Sequence, residues 1–228
     1  MAEHLLPGAP PVTVTLRRSG RARRITLRIS QLDGRVTLTL PTGVPESEAM
    51  EFARSKEGWI RGHLESRSQP TVVGLGAMIP IEGDRYRVVA AQGRRVQVGN
   101  GEIAVPQDAP ARRLAGWLRE LARDRLVDAS DRYSALLGRP YARITLRDTR
   151  SRWGSCTSQG ALMYSWRLIL APPEILQYVA AHEVAHLAEM NHSAAFWSTV
   201  ERLHGPYKTQ RQWLRRNGNE LHSFVFQA

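Results

Sequence analysis

The 228-residue sequence has one cysteine, Cys156, and only two lysines, Lys56 and Lys208, among its 32 basic residues. A lone cysteine excludes an intramolecular disulfide and fits a reducing compartment, so a cytoplasmic location is expected. No apolar run approaches the ~20 residues that span a bilayer, which excludes a transmembrane helix. MAEHLLPGAPP at the start lacks a basic n-region and a long apolar core, so it does not read as a signal peptide. Residues 1–10 are expected to form a flexible tail. Acidic residues are outnumbered 21 to 32, for a net charge of +11. That excess invites a nucleic-acid partner, but the densest basic cluster, Arg17, Arg18, Arg21, Arg23, Arg24 and Arg28, has no interleaved aromatic to stack on bases. A solvated basic face is the simpler reading. Phosphate-bearing substrates and nucleic acid stay open.

What is present is ordinary for a globular chain: 42% of residues are hydrophobic and 23% charged, enough to bury a substantial core. Period-two alternation in 12–18, 24–30 and 35–40, punctuated by Gly20 and Asp33-Gly34, predicts three strands. Helix signals begin at Glu46 or Ser47 and run to about Arg67. Short strands return over 72–105, and 106–110 reads as a linker. The alternation predicts a β-rich N-terminal region over 11–106, and no internal repeat is visible. Residues 111–137 form an amphipathic helix with Leu114, Trp117, Leu118, Leu121 and Leu126 on its stripe. Strands follow near 144–148, 152–156 and 162–169, then a helix from Pro172-Pro173 through His186 and two shorter helices at 193–203 and 206–217. The fold expected is α+β, with a catalytic core over 107–228 built on a small antiparallel sheet and an active-site helix.

The chemistry concentrates in that last helix. His182 and His186 lie four residues apart, so both imidazoles leave one helical face and can share a metal. Glu183 stands about a quarter turn away, placed to face a metal-bound water without ligating. Zinc lowers the pKa of such a water toward ~7, and Glu183 can take its proton and pass it to a leaving group. Alone, HExxH also fits buried helical histidines with a structural role. His192, six residues beyond His186, shifts that balance, because a chain leaving the helix can return a third nitrogen at that spacing. Metzincins place glycine midway in this turn; here Glu189 stands there, and Asn191 is the expected left-handed residue. Three nitrogens leave one position open, as a catalytic rather than a structural zinc site requires.

Residues 147–197, with Arg152-Trp153-Gly154-Ser155-Cys156, His182-Glu183-Val184-Ala185-His186, and Asn191-His192-Ser193 with Phe196-Trp197, closely resemble the YgjP-like metallopeptidase family, a relative of the SprT-like and WLM-domain zinc proteases. The resemblance extends through Trp59-Ile60 to Trp213-Leu214. It implies a zincin-type core with one Zn2+ per chain on His182, His186 and His192, and Glu183 as catalytic acid/base. One departure is Ser165, where asparagine is expected.

Other residues carry plainer readings. Cys156 has no base near it in sequence and reads as a buried small residue. Trp153, Trp166 and Trp197 read as core packing. Tyr207 is a candidate donor to a tetrahedral intermediate, and Arg150 and Arg152 are candidate substrate-binding cations. Carboxylates among Glu174, Glu189 and Glu201 are candidates to orient the ligand imidazoles. The favoured activity is peptide hydrolysis, with the substrate extended along the strand at 161–168 as an added strand. A nucleoside triphosphate (UTP-type) pyrophosphatase is the alternative, its phosphates held by arginines. A third reading is a nucleic-acid-associated protein with a structural metal, against which the presence of Glu183 argues. No membrane partner is expected.

Overall fold

In the computed structural model, which describes residues 2–30, 33–65 and 69–226, the alternating runs near the start form a four-stranded sheet. Its strands are β1 (Ala2–Leu6), β2 (Val12–Arg18), β3 (Thr26–Ile29) and β4 (Val36–Leu40), ordered β1-β2-β4-β3. Alternate side chains leave opposite faces of a strand. Val12, Val14, Leu16, Val36, Leu38 and Leu40 therefore share a cluster with Ala49, Met50 and Ala53 of α1 (Glu46–Ser55) and Ile60 of α2 (Glu57–Glu65). The single helix expected here is two, separated at Lys56; its expected end at Arg67 lies outside the described residues. Residues 2–6, expected within a tail, pair with β2, and Leu6 is fully buried.

Two compact units divide at Met1–Gln69 and Pro70–Ala228, where the sequence suggested a boundary near 106. The reason is apolar burial. Val73, Ile79, Ile81, Val88, Ile103 and Val105 belong to one cluster with the later helices, so the stretch at 106–110 is a largely exposed turn within one unit. The second unit opens with β5 (Thr71–Val72), β6 (Met78–Ile81), β7 (Asp84–Ala90), β8 (Gln97–Gly99) and β9 (Glu102–Val105). The order β6-β7-β9-β8 repeats that of the first sheet, with the same succession of antiparallel, parallel and antiparallel pairs. Local segments echo this repetition. Gly34 and Gly101 open the last strand of each sheet, Pro41 and Pro106 follow it, and Gly58-Trp59-Ile60-Arg61 matches Gly116-Trp117-Leu118-Arg119 in the helices beyond. Ile60 and Leu118 are both fully buried.

Helix α3 (Pro110–Leu137) follows, ended by Gly138 in the left-handed conformation at φ 72° that glycine adopts without strain. Then come β10 (Arg143–Arg147), β11 (Gly154–Cys156) and β12 (Ala161–Ser165), a 3-10 turn at Trp166–Leu170, α4 (Pro173–Ala185), α5 (Ala194–His204), α6 (Lys208–Asn217), a second 3-10 turn at Gly218–His222 and β13 (Phe224–Val225), which pairs parallel with β5. The small sheet is mixed: β12 is parallel to β10 and antiparallel to β11. Its order, β10-β12-β11, puts β12 in the middle. The strand expected as a substrate-accepting edge is thus paired on both sides, and it ends at Ser165, not at 169. Tyr164, fully buried, ties it to α3 through a 3.0 Å hydrogen bond with Ser130.

Arg167 anchors the closing segment. Its guanidinium donates to both Asp148 carboxylate oxygens at 2.6 and 3.1 Å and to the carbonyls of Leu221 and Phe224 at 3.0 and 2.9 Å. Partial burial works to raise the Asp148 carboxyl, but the Arg167 hydrogen bond and charge outweigh it and hold it below the usual carboxylate range. A depressed folded-state pKa stabilises above the unfolded value and loses its contribution as pH falls through the folded one. We predict that Arg167→Leu costs roughly 3 kcal/mol, read as a lower urea midpoint, because it strands two carbonyls and a carboxylate. The wild-type advantage over the variant shrinks below about pH 4. An unchanged gap at acid pH would assign the loss to packing and the two carbonyl hydrogen bonds, with no share from Asp148.

Candidate metal centre

Helix α4 starts on Pro172-Pro173, whose missing N–H groups cost nothing in a first turn. Ile175, Leu176, Val179, Ala180, Ala181, Val184 and Ala185 are buried along it. A helix so thoroughly covered is held rigidly, and its last turn carries His182, Glu183 and His186. The helix stops at Ala185; the N–H groups of Leu187, Ala188 and Glu189 turn back onto the carbonyls of Val184 and Ala185 at 2.9 to 3.1 Å. His192 then returns ahead of α5. Asn191 does not supply a left-handed residue: the non-glycine positive φ values among the described residues are at Glu82, Asn100 and Ala109. Its side-chain oxygen instead accepts from the Ser193 N–H at 3.2 Å, and the Ser193 hydroxyl caps α5 by accepting from the Phe196 N–H at 3.3 Å.

The turn brings the three imidazoles together. Their ring centroids stand 5.1, 5.1 and 4.9 Å apart, and one nitrogen from each falls within a 4.8 Å group that could hold a metal ion. The Nε2 atoms of His182 and His192 are 3.2 Å apart. Two nitrogens on one tetrahedral zinc, each ~2.0–2.1 Å from it, stand about 3.3 Å apart, so this pair fits. His186 Nδ1 lies 2.9 Å from the Glu189 carbonyl oxygen. Nδ1 therefore donates and Nε2 keeps its lone pair. The orienting partner is a backbone carbonyl, where the sequence suggested a carboxylate. Phe196, fully buried, touches all three rings at centroid distances of 4.9, 4.4 and 4.8 Å. Burial first, then the neighbouring imidazoles and Arg211, pushes His182 down to about 3, so its ring stays neutral as a ligand must.

Glu183 is buried, and among the described residues its carboxylate has no ion pair or hydrogen bond. Burial pushes its carboxyl up to about 8, with Arg152 acting in the opposite direction. The side chain lies against the bare backbone of β11. A Cβ at Gly154 would stand 2.5 Å from its Cγ and 2.6 Å from Oε1. Glycine at 154 is thus a steric requirement of where Glu183 sits. Burial lifts the neighbouring Cys156 thiol to about 11, with Glu183 adding to the rise, so it is no nucleophile.

Residues 23–217 match the family described as YgjP-like, metallopeptidase domain. This chain belongs to the YgjP-like metallopeptidase family. Among solved structures it is similar to the metallopeptidase zymogen of Pyrococcus abyssi abylysin, at 19% identity and a TM-score of 0.37, covering 44% of this chain and 99% of that one. No curated protein matches it. A YgjP-like chain is a metal-dependent peptidase in general terms, and the three-histidine group is where this one could bind a metal. No helix among the described residues is long and apolar enough to cross a membrane.

The other sequence candidates sit variously around the YgjP-like site. Tyr207 is buried in a stack with Trp197 at 5.1 Å and Tyr178 at 6.1 Å. Trp197 itself lies 5.6 and 5.7 Å from His182 and His192, so it flanks the site, while Trp166 is the core residue expected. Arg152 is exposed just before β11, and Arg150 is exposed in the loop with no contact to the histidines. Sequence reasoning missed Phe196 as the floor under the rings, Gly154, and Arg211, whose guanidinium carbon sits 4.5 Å over Trp197. Gly154 stood inside a quoted motif, but only its distance to Glu183 shows why.

Proposed function

We propose that this chain is a zinc-dependent peptidase in which His182, His186 and His192 hold one Zn2+ and Glu183 moves the protons. The observation that carries the reading is a buried carboxylate, without an ion pair among the described residues, on the helical turn that supplies two of three converging imidazoles. A dication held there supplies Lewis acidity, acidifying water at its open position and polarising a scissile carbonyl. Glu183 accepts a proton at a carboxylate oxygen and returns it to the departing amine, as a general base and then acid. The nearby dication also favours its ionised form against the burial that raises it. Three protein nitrogens leave a position for substrate; a structural site would need a fourth ligand, and the described residues offer only a three-histidine group.

The substrate's main chain docks on β11. Ser165 N–H donates to the Trp153 carbonyl and Thr157 N–H to the Ala161 carbonyl, at 2.8 and 3.0 Å. Antiparallel pairs alternate between bonded and unbonded residues, so 153, 155 and 157 face β12 while Gly154 and Cys156 turn their N–H and C=O groups to the open edge. That edge is the one beside Glu183. An extended peptide adds there as a further strand. Cys156→Pro removes an edge donor at a place in a sheet where proline is tolerated. It is expected to cut casein hydrolysis by about tenfold, the cost of one main-chain hydrogen bond in a shielded site, with zinc content and folding retained. Cys156→Ala keeps the N–H and loses far less. UTP hydrolysis by the wild type, with casein untouched, would sink the peptidase reading in favour of the pyrophosphatase.

A further inference from the structure

Two guanidiniums beside this site form no ion pair with a carboxylate among the described residues. Arg211 lies over Trp197, which in turn stacks on His192 at 27° between planes. Its charge is felt at His182, and it carries no ion pair among the described residues. Stacking on an indole fixes the plane of a guanidinium while leaving its N–H groups free to donate. Arg152 sits two residues before Gly154, at the start of the edge described above, and is likewise unpaired. It also borders a groove of about 390 Å³ across the outer face of the β10-β12-β11 sheet. Arg143 and Arg147 line the same groove, with the hydroxyls of Thr145, Ser155 and Thr157 between them and no acidic residue. Side chains alternate along a strand, so Gly154 faces Glu183 while Ser155 and Thr157 face this groove. A peptide added on β11 projects every second side chain over the same basic face.

We propose that the site selects acidic segments, Arg152 at the β11 edge and Arg211 on the Trp197 ring receiving carboxylate side chains of residues flanking the scissile bond. This names the substrate class of the peptidase reading and rests on it. A bare cationic face far from chemistry is usually only solvated. These arginines differ because both lie at the site, one stacked and one beside the docking edge, and because neither carries an ion pair among the described residues. The groove has no aromatic lining to hold unstacked bases, which favours a peptide over single-stranded nucleic acid.

The test uses the full zinc-loaded chain. In the first arm, cleavage sites in a peptide mixture are read by mass spectrometry; glutamate and aspartate are expected to be enriched next to the cut bonds and lysine depleted. In the second arm, the Glu183→Gln chain is titrated with labelled octapeptides that differ only in carrying Glu, Gln or Lys at alternate positions. Two ion pairs of the strength usual near a surface combine to about a tenfold preference for Glu over Gln. Added salt narrows it. Arg152→Gln and Arg211→Gln are each expected to reduce it by about threefold, and Arg211→Lys to restore part of it. Equal affinities for Glu and Gln peptides, or a preference that survives both arginine changes, overturn the proposal. A short DNA duplex that displaces the Glu peptide at lower concentration, and loses that power in Arg143→Gln and Arg147→Gln, also overturns it and assigns the face to phosphate backbones. If no peptide is cleaved yet the arginine-dependent preference persists, the fault lies with the peptidase reading and acid selection stands.

Discussion

Glu183→Gln is expected to lower peptide hydrolysis by about a hundredfold or more while zinc content and folding stay near those of the wild type. The amide matches the carboxylate in size, so it still fits against the bare backbone of Gly154. What it loses is the ability to accept a proton, and general acid–base catalysis contributes ~10²–10⁴. Folding has little to lose. A buried carboxylate without a hydrogen-bonded partner stabilises nothing, and a neutral amide costs less to bury. Gly154→Ala provides a geometric companion. Its new methyl meets Glu183 where only backbone stood, so the carboxylate must move while its chemistry is unaltered. A large loss in both variants, with zinc retained in both, ties turnover to the position of this one group. Undiminished turnover in Glu183→Gln would show that the reaction is performed elsewhere.

His192→Ala is expected to reduce bound zinc by at least about tenfold after dialysis, as removal of one of three protein ligands should. The same loss is expected for His182→Ala and His186→Ala. A competing arrangement would have a downstream glutamate, Glu201 or Glu220, as third ligand in place of His192. Glu201 is exposed on α5 and Glu220 lies in the turn after α6, and neither joins the three-histidine group. Glu201→Ala and Glu220→Ala should therefore keep their metal. Full zinc in His192→Ala, together with loss in either glutamate variant, rejects the ligand set. Thermal unfolding gives an independent reading. Zinc binds the folded state and raises its midpoint by mass action, so the shift on adding zinc should vanish in the three histidine variants and persist in Glu183→Gln.

The three-histidine group was legible because helical spacing is a local property. His182 and His186 are four residues apart on one face whatever surrounds them, and His192 follows after too few residues to travel far. Helix α3 was legible for the same reason, its apolar residues recurring with the helical period and Gly138 closing it. Strand alternation likewise located β2 and β4. Local signals also misled. Prolines at 106 and 110 mark turns equally well between domains and within one, and only shared burial with α3 showed which applies. No glycine or proline interrupts residues 161–170, so nothing local marks the change from strand to 3-10 turn.

By itself, then, the order of residues determined which side chains could meet on one helix and kept the third imidazole within reach of the other two, since short-range geometry leaves them few alternatives. Strand neighbours are different. Pairing is set by contacts between residues far apart in the chain, and only the tertiary structure placed β12 between β10 and β11 and so moved the open edge to Gly154 and Cys156. The same holds for Gly154 beneath Glu183, for Phe196 under the three imidazoles, and for Arg211 on Trp197. Each depends on side chains from separate elements meeting across the core, a distance relation that no period or spacing along the chain encodes.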